Sequence, residues 1–183
     1  MSKIKRLIQS YRKYITIPWS YDIAAAQRVI FCVYNETEEL RLRAKIDEFE
    51  IVTQQANHRW VVFDLTPTFA EWLSGQRYAH KYLQKPDLLS TLISKYLDFI
   101  KNKFSDFLNE NPTDKDTVIA LKGVGSLFGF LKVKEVVDQI VPMVKGRLLV
   151  FFPGSYENNN YRLLDGYDGW NYLAVAITAD QDL

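Results

Sequence analysis

The chain has 183 residues, 48% hydrophobic and 25% charged, and its 23 Lys plus Arg against 22 Asp plus Glu leave a formal charge of +1. That length can bury a full core without disulfides or metals, and the near-neutral balance argues against a dedicated nucleic-acid binder. The single cysteine, Cys32, cannot form an internal disulfide and points to a reducing, cytoplasmic setting. No apolar run approaches the roughly 18 residues of a membrane span, and the N-terminus lacks the apolar core of a signal peptide.

Residues 1–21 carry Lys3, Lys5, Arg6, Arg12 and Lys13 and no acid, while Ile4, Leu7, Ile8, Tyr11 and Ile15 recur at helical steps. This predicts a basic amphipathic helix over 1–20, stopped at Pro18. Its greasy face packs on its own domain or docks on a partner, and its cations could meet nucleic acid or a membrane surface. Lys5, Arg6 and Arg12 are therefore candidate contact residues. Residues 28–34 read as the first strand. Asn35 then caps a helix to about Ala56, with Leu42, Ile46, Phe49, Val52 and Ala56 inward. Residues 60–65 read as the second strand, and Thr66-Pro67 restarts a helix. Asp64 falls at the carboxyl end of that strand, where α/β proteins keep ligand sites. Residues 75–85 read as a loop or short helix end, and 86–109 as the longest helix. Residues 117–121 form the third strand, followed by Gly123-Val124-Gly125-Ser126 and a turn that tucks Leu127-Phe128-Gly129-Phe130 against the sheet end. This Gly-x-Gly lacks the remaining glycine of a dinucleotide motif and the Gly-Lys-Ser/Thr of a P-loop. Residues 132–144 form a last helix. Two apolar runs, 148–152 and 172–177, supply the fourth and fifth strands, and the polar stretch between them reads as an ordered surface loop.

Strand–helix alternation predicts one α/β domain over 1–183 with its core at 28–178. The sheet is expected to be mainly parallel, of about five strands, with helices on both faces. It should be Rossmann-like or a degenerate P-loop-like core without the P-loop. No catalytic constellation, cofactor motif or metal-ligand spacing is visible, and His58 and His80 stand alone. Two function classes remain. One is a docking protein that uses Tyr156, Tyr161, Arg162, Tyr167 and Trp170, side chains of the kind that dominate interfaces. The other is a nucleotide-binding or degenerate NTPase-like domain around Asp64, Gly123 and Gly125.

Four segments in this order carry a resemblance: Val33-Tyr34-Asn35 leading into Glu38-Glu39-Leu40-Arg41-Leu42-Arg43; Val62-Phe63-Asp64-Leu65; Gly123 through Phe130; and Phe151-Phe152-Pro153-Gly154 through Asn171-Tyr172. Together they resemble the BrxB family of the bacterial BREX phage-defence systems. The resemblance implies a non-catalytic part of a multi-protein machine, without a cofactor of its own. Its partners would be other BREX proteins, the PglZ-type phosphatase-like protein or the AAA-type ATPase. DNA would be met weakly or indirectly, and a homodimer is left open. Gly129 and Lys132 stand where the resemblance implies a proline and an arginine.

Overall fold

The computed structural model describes residues 1–170 and 173–180, with Trp170 described by its backbone alone. Helix α1 (Lys3–Ile15) comes first. Strand β1 (Val29–Tyr34), helices α2 (Glu39–Arg43) and α3 (Ile46–Gln55) and strand β2 (Arg59–Asp64) follow. Next come α4 (Thr68–Ser74), α5 (Ala79–Gln84), α6 (Ile93–Glu110), β3 (Thr117–Lys122) and α7 (Val133–Ile140). The chain closes with β4 (Arg147–Glu157), β5 (Asn160–Leu163), β6 (Gly166–Trp170) and β7 (Val175–Ile177). The strand order is β2-β3-β4-β1-β7, with every ladder along this path parallel. Strand β5 pairs antiparallel with the far half of β4, and β6 pairs antiparallel with β5.

The fold is therefore α/β, and its seven-stranded sheet is mixed: the expected parallel path of five strands is present, and two antiparallel strands extend it. The difference lies in the stretch read as a loop. Strand β4 does not stop at Pro153. Pro153 sits opposite Tyr34, where β1 ends, and β4 runs on to Glu157. Asn158 and Asn159 both take positive φ, 50° and 63°. That is the backbone of a tight two-residue hairpin, which asparagine tolerates. The chain then returns as β5 with Tyr161 and Leu163 buried and Asn160 and Arg162 exposed. The expected fifth strand began at Tyr172, outside the described residues; β7 starts at Val175.

Side chains alternate across the central strands. Phe31, Val33, Ile119, Leu121, Leu148, Val150 and Phe152 point to one face, where they meet Trp72 of α4, Tyr96, Ile100 and Phe104 of α6, and Val136 and Ile140 of α7. Ile30, Cys32, Val118, Ala120, Leu149 and Phe151 point to the other, beneath Leu7, Tyr11 and Ile15 of α1 and Phe49 and Val52 of α3. Thus α1 packs on its own domain through its whole apolar stripe. The helix expected over 35–56 breaks at Ala44-Lys45, and Leu42 and Ile46 stay buried on either side of the break. The longest helix starts later than expected, because Pro86–Thr91 forms a 3-10 turn ahead of α6. Burial pushes the Cys32 thiol well above its usual range, leaving it an inert core residue. No helix among the described residues is long and apolar enough to cross a membrane.

At the amino ends of the strands, residues after α1 are clamped by a three-layer stack. The His58 ring lies 3.6 Å from the Trp19 ring at 5°, and the Arg147 guanidinium sits 4.6 Å over Trp19. Arg147 also donates to the Ser20 carbonyl at 2.9 Å. Burial lowers the His58 pKa below its usual 6.5, with Asp116 opposing and Arg147 reinforcing the shift. The unfolded chain therefore takes up this proton first as pH falls. The stability tied to neutral His58 is present above about pH 6.5 and declines below it. We expect the thermal midpoint to drop between pH 7 and pH 5, and His58→Gln to flatten that drop. An unchanged slope in the variant would remove His58 as its source.

Candidate functional site: strand ends and an aromatic face

The carboxyl ends of β1, β2 and β3 are crossed by a polar chain. Tyr34 Oη donates to Glu39, and Arg43 Nε donates to Glu39 at 2.6 Å. Arg43 also reaches Thr66 Oγ1 at 3.4 Å. The Thr66 amide donates to Asp64 Oδ1 at 2.9 Å, and Asp64 pairs with Lys122 at 3.3 Å. Burial works to raise the Asp64 carboxyl, but hydrogen bonds from Thr66 and the Lys122 ammonium outweigh it and hold the group below its usual value. Gly123 has φ +79°, and a Cβ there would lie 2.3 Å from Thr66 Oγ1. Its glycine is required by this turn and by the close approach of Thr66. Ser126 Oγ donates to the Gly123 carbonyl at 2.7 Å. The structure thus brings Asp64 and Gly123 together, as the nucleotide reading needs, but bonds them to neighbouring protein groups. Among the described residues no cluster of three or more His, Cys, Asp or Glu could hold a metal.

The residues chosen for docking separate into different environments. Tyr161 is 1% exposed and wedged against Phe31, Phe152 and Tyr156, with ring centroids 4.9, 5.7 and 4.6 Å away. It is a core residue and leaves the candidate set, because the alternation of β5 turns it inward. Tyr156 is half-buried, its hydroxyl donating to Asn159 at 2.8 Å. Arg162 is exposed, reaching the Asp165 carbonyl at 3.4 Å. Tyr167 is 51% exposed, with Lys132 Nζ 5.6 Å from its ring centroid. Trp170 lies on β6, and its side chain is outside the described set. On α1, Lys5 and Arg12 are exposed, and Arg6 pairs with Asp180 at 3.2 Å. Lys5 and Arg12 line a shallow groove with Glu48 of α3, whereas Lys3 lines another with Ser155 and Tyr156 at the base of the hairpin.

Two residues that the sequence reading placed against the sheet end join the exposed set. Leu127 is buried, but Phe128 is 43% exposed, and Phe130 projects outward and stacks on Phe69 at 4.1 Å. Gly129, at φ +83°, turns the chain between them. A cleft runs from Phe128 and Lys132 to Leu163 and Tyr167, and an adjoining one continues past Phe130 to Leu89 and Ile93. Buried Asp168 fixes this geometry. Its carboxylate accepts from the Val133 amide at 2.7 Å and the Lys134 amide at 3.4 Å, so β6 supplies the cap of α7. The Phe-Gly-Phe run was the available signal, since a glycine between two phenylalanines suits a turn better than a core strand.

Fold and surface together define an α/β domain with a mixed sheet, a bonded polar lattice at its strand ends and an exposed aromatic face beside its hairpin. The family model described as "BREX protein BrxB" matches residues 63–177, more than half of the chain, and the chain belongs to the BrxB family. It is thereby a component of a BREX phage-defence system. The matched span holds the Gly123–Phe130 turn and the hairpin; the Val33-Tyr34-Asn35 segment lies before it. No curated protein and no solved structure matches the chain.

Proposed function

We propose that this protein is a non-catalytic assembly component that docks other BREX proteins through the aromatic face. The observation that carries this reading is the run of outward-facing rings, Phe128, Phe130 and Tyr167, along two adjoining clefts. Exposed aromatics around a preformed cleft are the usual anchors of a protein interface. The partner is a BREX protein, the PglZ-type phosphatase-like protein or the AAA-type ATPase, as the resemblance implies. The competing reading, a nucleotide site in a Rossmann-like or P-loop-like core, must displace the Asp64–Lys122 pair before a ligand can use either group.

The test is co-expression with the neighbouring BREX proteins, tagged recovery and sizing. The native chain should recover one of them stoichiometrically. Phe128→Ala with Tyr167→Ala should reduce recovery at least about tenfold while leaving the thermal midpoint near its native value. Recovery of the native chain alone would end the assembly reading, and undiminished recovery by the double variant would move the interface elsewhere. Labelled ATP or GTP with magnesium should show no saturable binding at millimolar concentration; saturable binding abolished by Asp64→Asn would favour the nucleotide reading.

A further inference from the structure

The sheet ends on β2, β7 and β6, and the three differ as edges. Strand β7 spans only Val175–Ile177, and β6 meets β5 through a register shift at Tyr161/Arg162. Short edges and bulged edges are ordinary guards against the addition of a further strand. Strand β2 has neither guard. Its six residues, Arg59-Trp60-Val61-Val62-Phe63-Asp64, contain no proline, glycine or lysine. They pair with β3 in unbroken register, from Arg59 opposite Thr117 to Asp64 opposite Lys122. The Arg59 amide donates to the Asp116 carbonyl and the Leu65 amide to the Lys122 carbonyl, so the odd-numbered residues of β2 bond towards β3. The N–H and C=O groups of Trp60, Val62 and Asp64 therefore point away from the sheet, and they take no backbone bond among the described residues. Val61 and Val62 are only half-buried, whereas the valines and leucines of the central strands are buried.

We propose that β2 is a self-association edge, pairing antiparallel with β2 of a second copy about a two-fold axis at Val62. The backbone is self-complementary about that point. Val62 meets its own counterpart and Trp60 meets Asp64 of the other copy, so each outward N–H finds an outward C=O. Val61 then lies across from Phe63 of the other copy, an apolar pair of the kind that stabilises neighbouring strands. The charges agree with this direction. Each strand opens with Arg59 and closes with Asp64, and antiparallel pairing brings the cationic end of one copy to the anionic end of the other. Behind these ends stand Asp114, 3.4 Å from Arg59, and Lys122, 3.3 Å from Asp64. Neither end therefore carries an uncompensated charge that would repel a copy. A foreign extended segment could use the same amides, but it need not match the length or the end charges; a second copy matches both. Strand β2 contributes nothing to the Phe128–Tyr167 face, so the paired protein presents that face twice. The inference does not depend on the assembly reading.

Mass measurement on the purified full chain tests it. At about 100 µM the native protein should have twice the mass of one chain, and its thermal midpoint should rise with protein concentration. Val62→Pro removes the central outward N–H and leaves the bonds to β3, a change that an edge strand tolerates. It should return the protein to single-chain mass and make the midpoint independent of concentration. Val62→Cys tests the register without touching the backbone. A short bismaleimide should join two copies through position 62, whereas Gln9→Cys, exposed on α1, should not be joined. A native chain of single-chain mass at about 100 µM overturns the inference, as does a dimer that survives Val62→Pro. If Val62→Pro does not fold, the cross-link decides: no joining at position 62, or equal joining at position 9, overturns it. A native monomer that loses a BREX protein on Val62→Pro assigns the edge to a foreign strand and also overturns it. Recovery of BREX proteins by the native chain is a separate readout and bears only on the assembly reading.

Discussion

Gly154→Ala should cost about 3 kcal/mol or more of folding stability, a price set by backbone collision. A Cβ at this position would lie 1.8 Å from the Arg162 carbonyl oxygen and 2.9 Å from its carbon, with the Leu164 nitrogen 3.1 Å away. All three are main-chain atoms, so no rotamer change relieves the contact. Gly154 faces Leu163 in the β4–β5 ladder, and the Leu164 amide donates to the Pro153 carbonyl at 2.8 Å. Moving β5 away breaks that pairing and frees the hairpin from the sheet. Asp168 then loses its fixed place at the α7 amides, and Tyr167 its place beside Lys132. Urea unfolding measures the energy, and limited proteolysis between 157 and 166 measures the release of the hairpin. Recovery of BREX partners should fall too, although Gly154 itself is buried. A variant with native stability and a protected hairpin would show that the ladder bends around the added methyl. That result would remove the tight β4–β5 approach from the account.

Tyr11→Ala should cost about 3–5 kcal/mol, the loss expected for deleting a fully buried aromatic ring. Tyr11 is solvent-free, its ring centroid 5.4 Å from that of Phe49 and its hydroxyl 2.7 Å from Thr53 Oγ1. Tyr11→Phe should cost only about 1 kcal/mol, because Thr53 keeps its bond to the Phe49 carbonyl at 2.8 Å. Lys5→Gln with Arg12→Gln should stay within about 0.5 kcal/mol, since both side chains are on the open face. Denaturant titrations of the three variants rank these effects. A loss below about 1 kcal/mol in Tyr11→Ala would mean that α1 is an accessory arm whose packing contributes little.

The α1 result shows where sequence reading succeeds. Its stripe of Ile4, Leu7, Ile8, Tyr11 and Ile15 is legible by spacing, and each of these residues is buried. The central strands were equally legible, because runs such as Val29–Tyr34 are apolar at every position and are buried on both faces. The hairpin is harder to read, although its signal is present. Asn158-Asn159 between alternating residues describes a tight turn, but polarity and Pro153 together look like a loop. The candidate surface was harder still. Tyr161 and Tyr167 are the same residue type six positions apart, and an aromatic ring serves a core and an interface equally well. Only the pairing of β5 with β4 decides that Tyr161 faces inward, and pairing between distant residues leaves no local trace. Phe128 and Phe130 failed in the opposite sense: an apolar run suggested burial, and the positive φ at Gly129 turned both outward.

The place of β1 in the sheet governs when the protein can exist at all. Its two hydrogen-bonded neighbours are β4 and β7, with Val29 opposite Leu148 and Ile30 opposite Val175. Both partners lie more than a hundred residues downstream. As the chain leaves the ribosome, Ile30, Phe31 and Cys32 must wait with both strand edges bare until nearly all of the protein has been made. Such long-range closure is slow and exposes sticky intermediates. The same layout bears on the family-defining span, residues 63–177, which begins after β1 has passed. Synthesised alone, that span would bring β4 and β7 together with a missing slat between them. The matched segment is therefore expected to need β1 in order to fold, since that strand stands between β4 and β7.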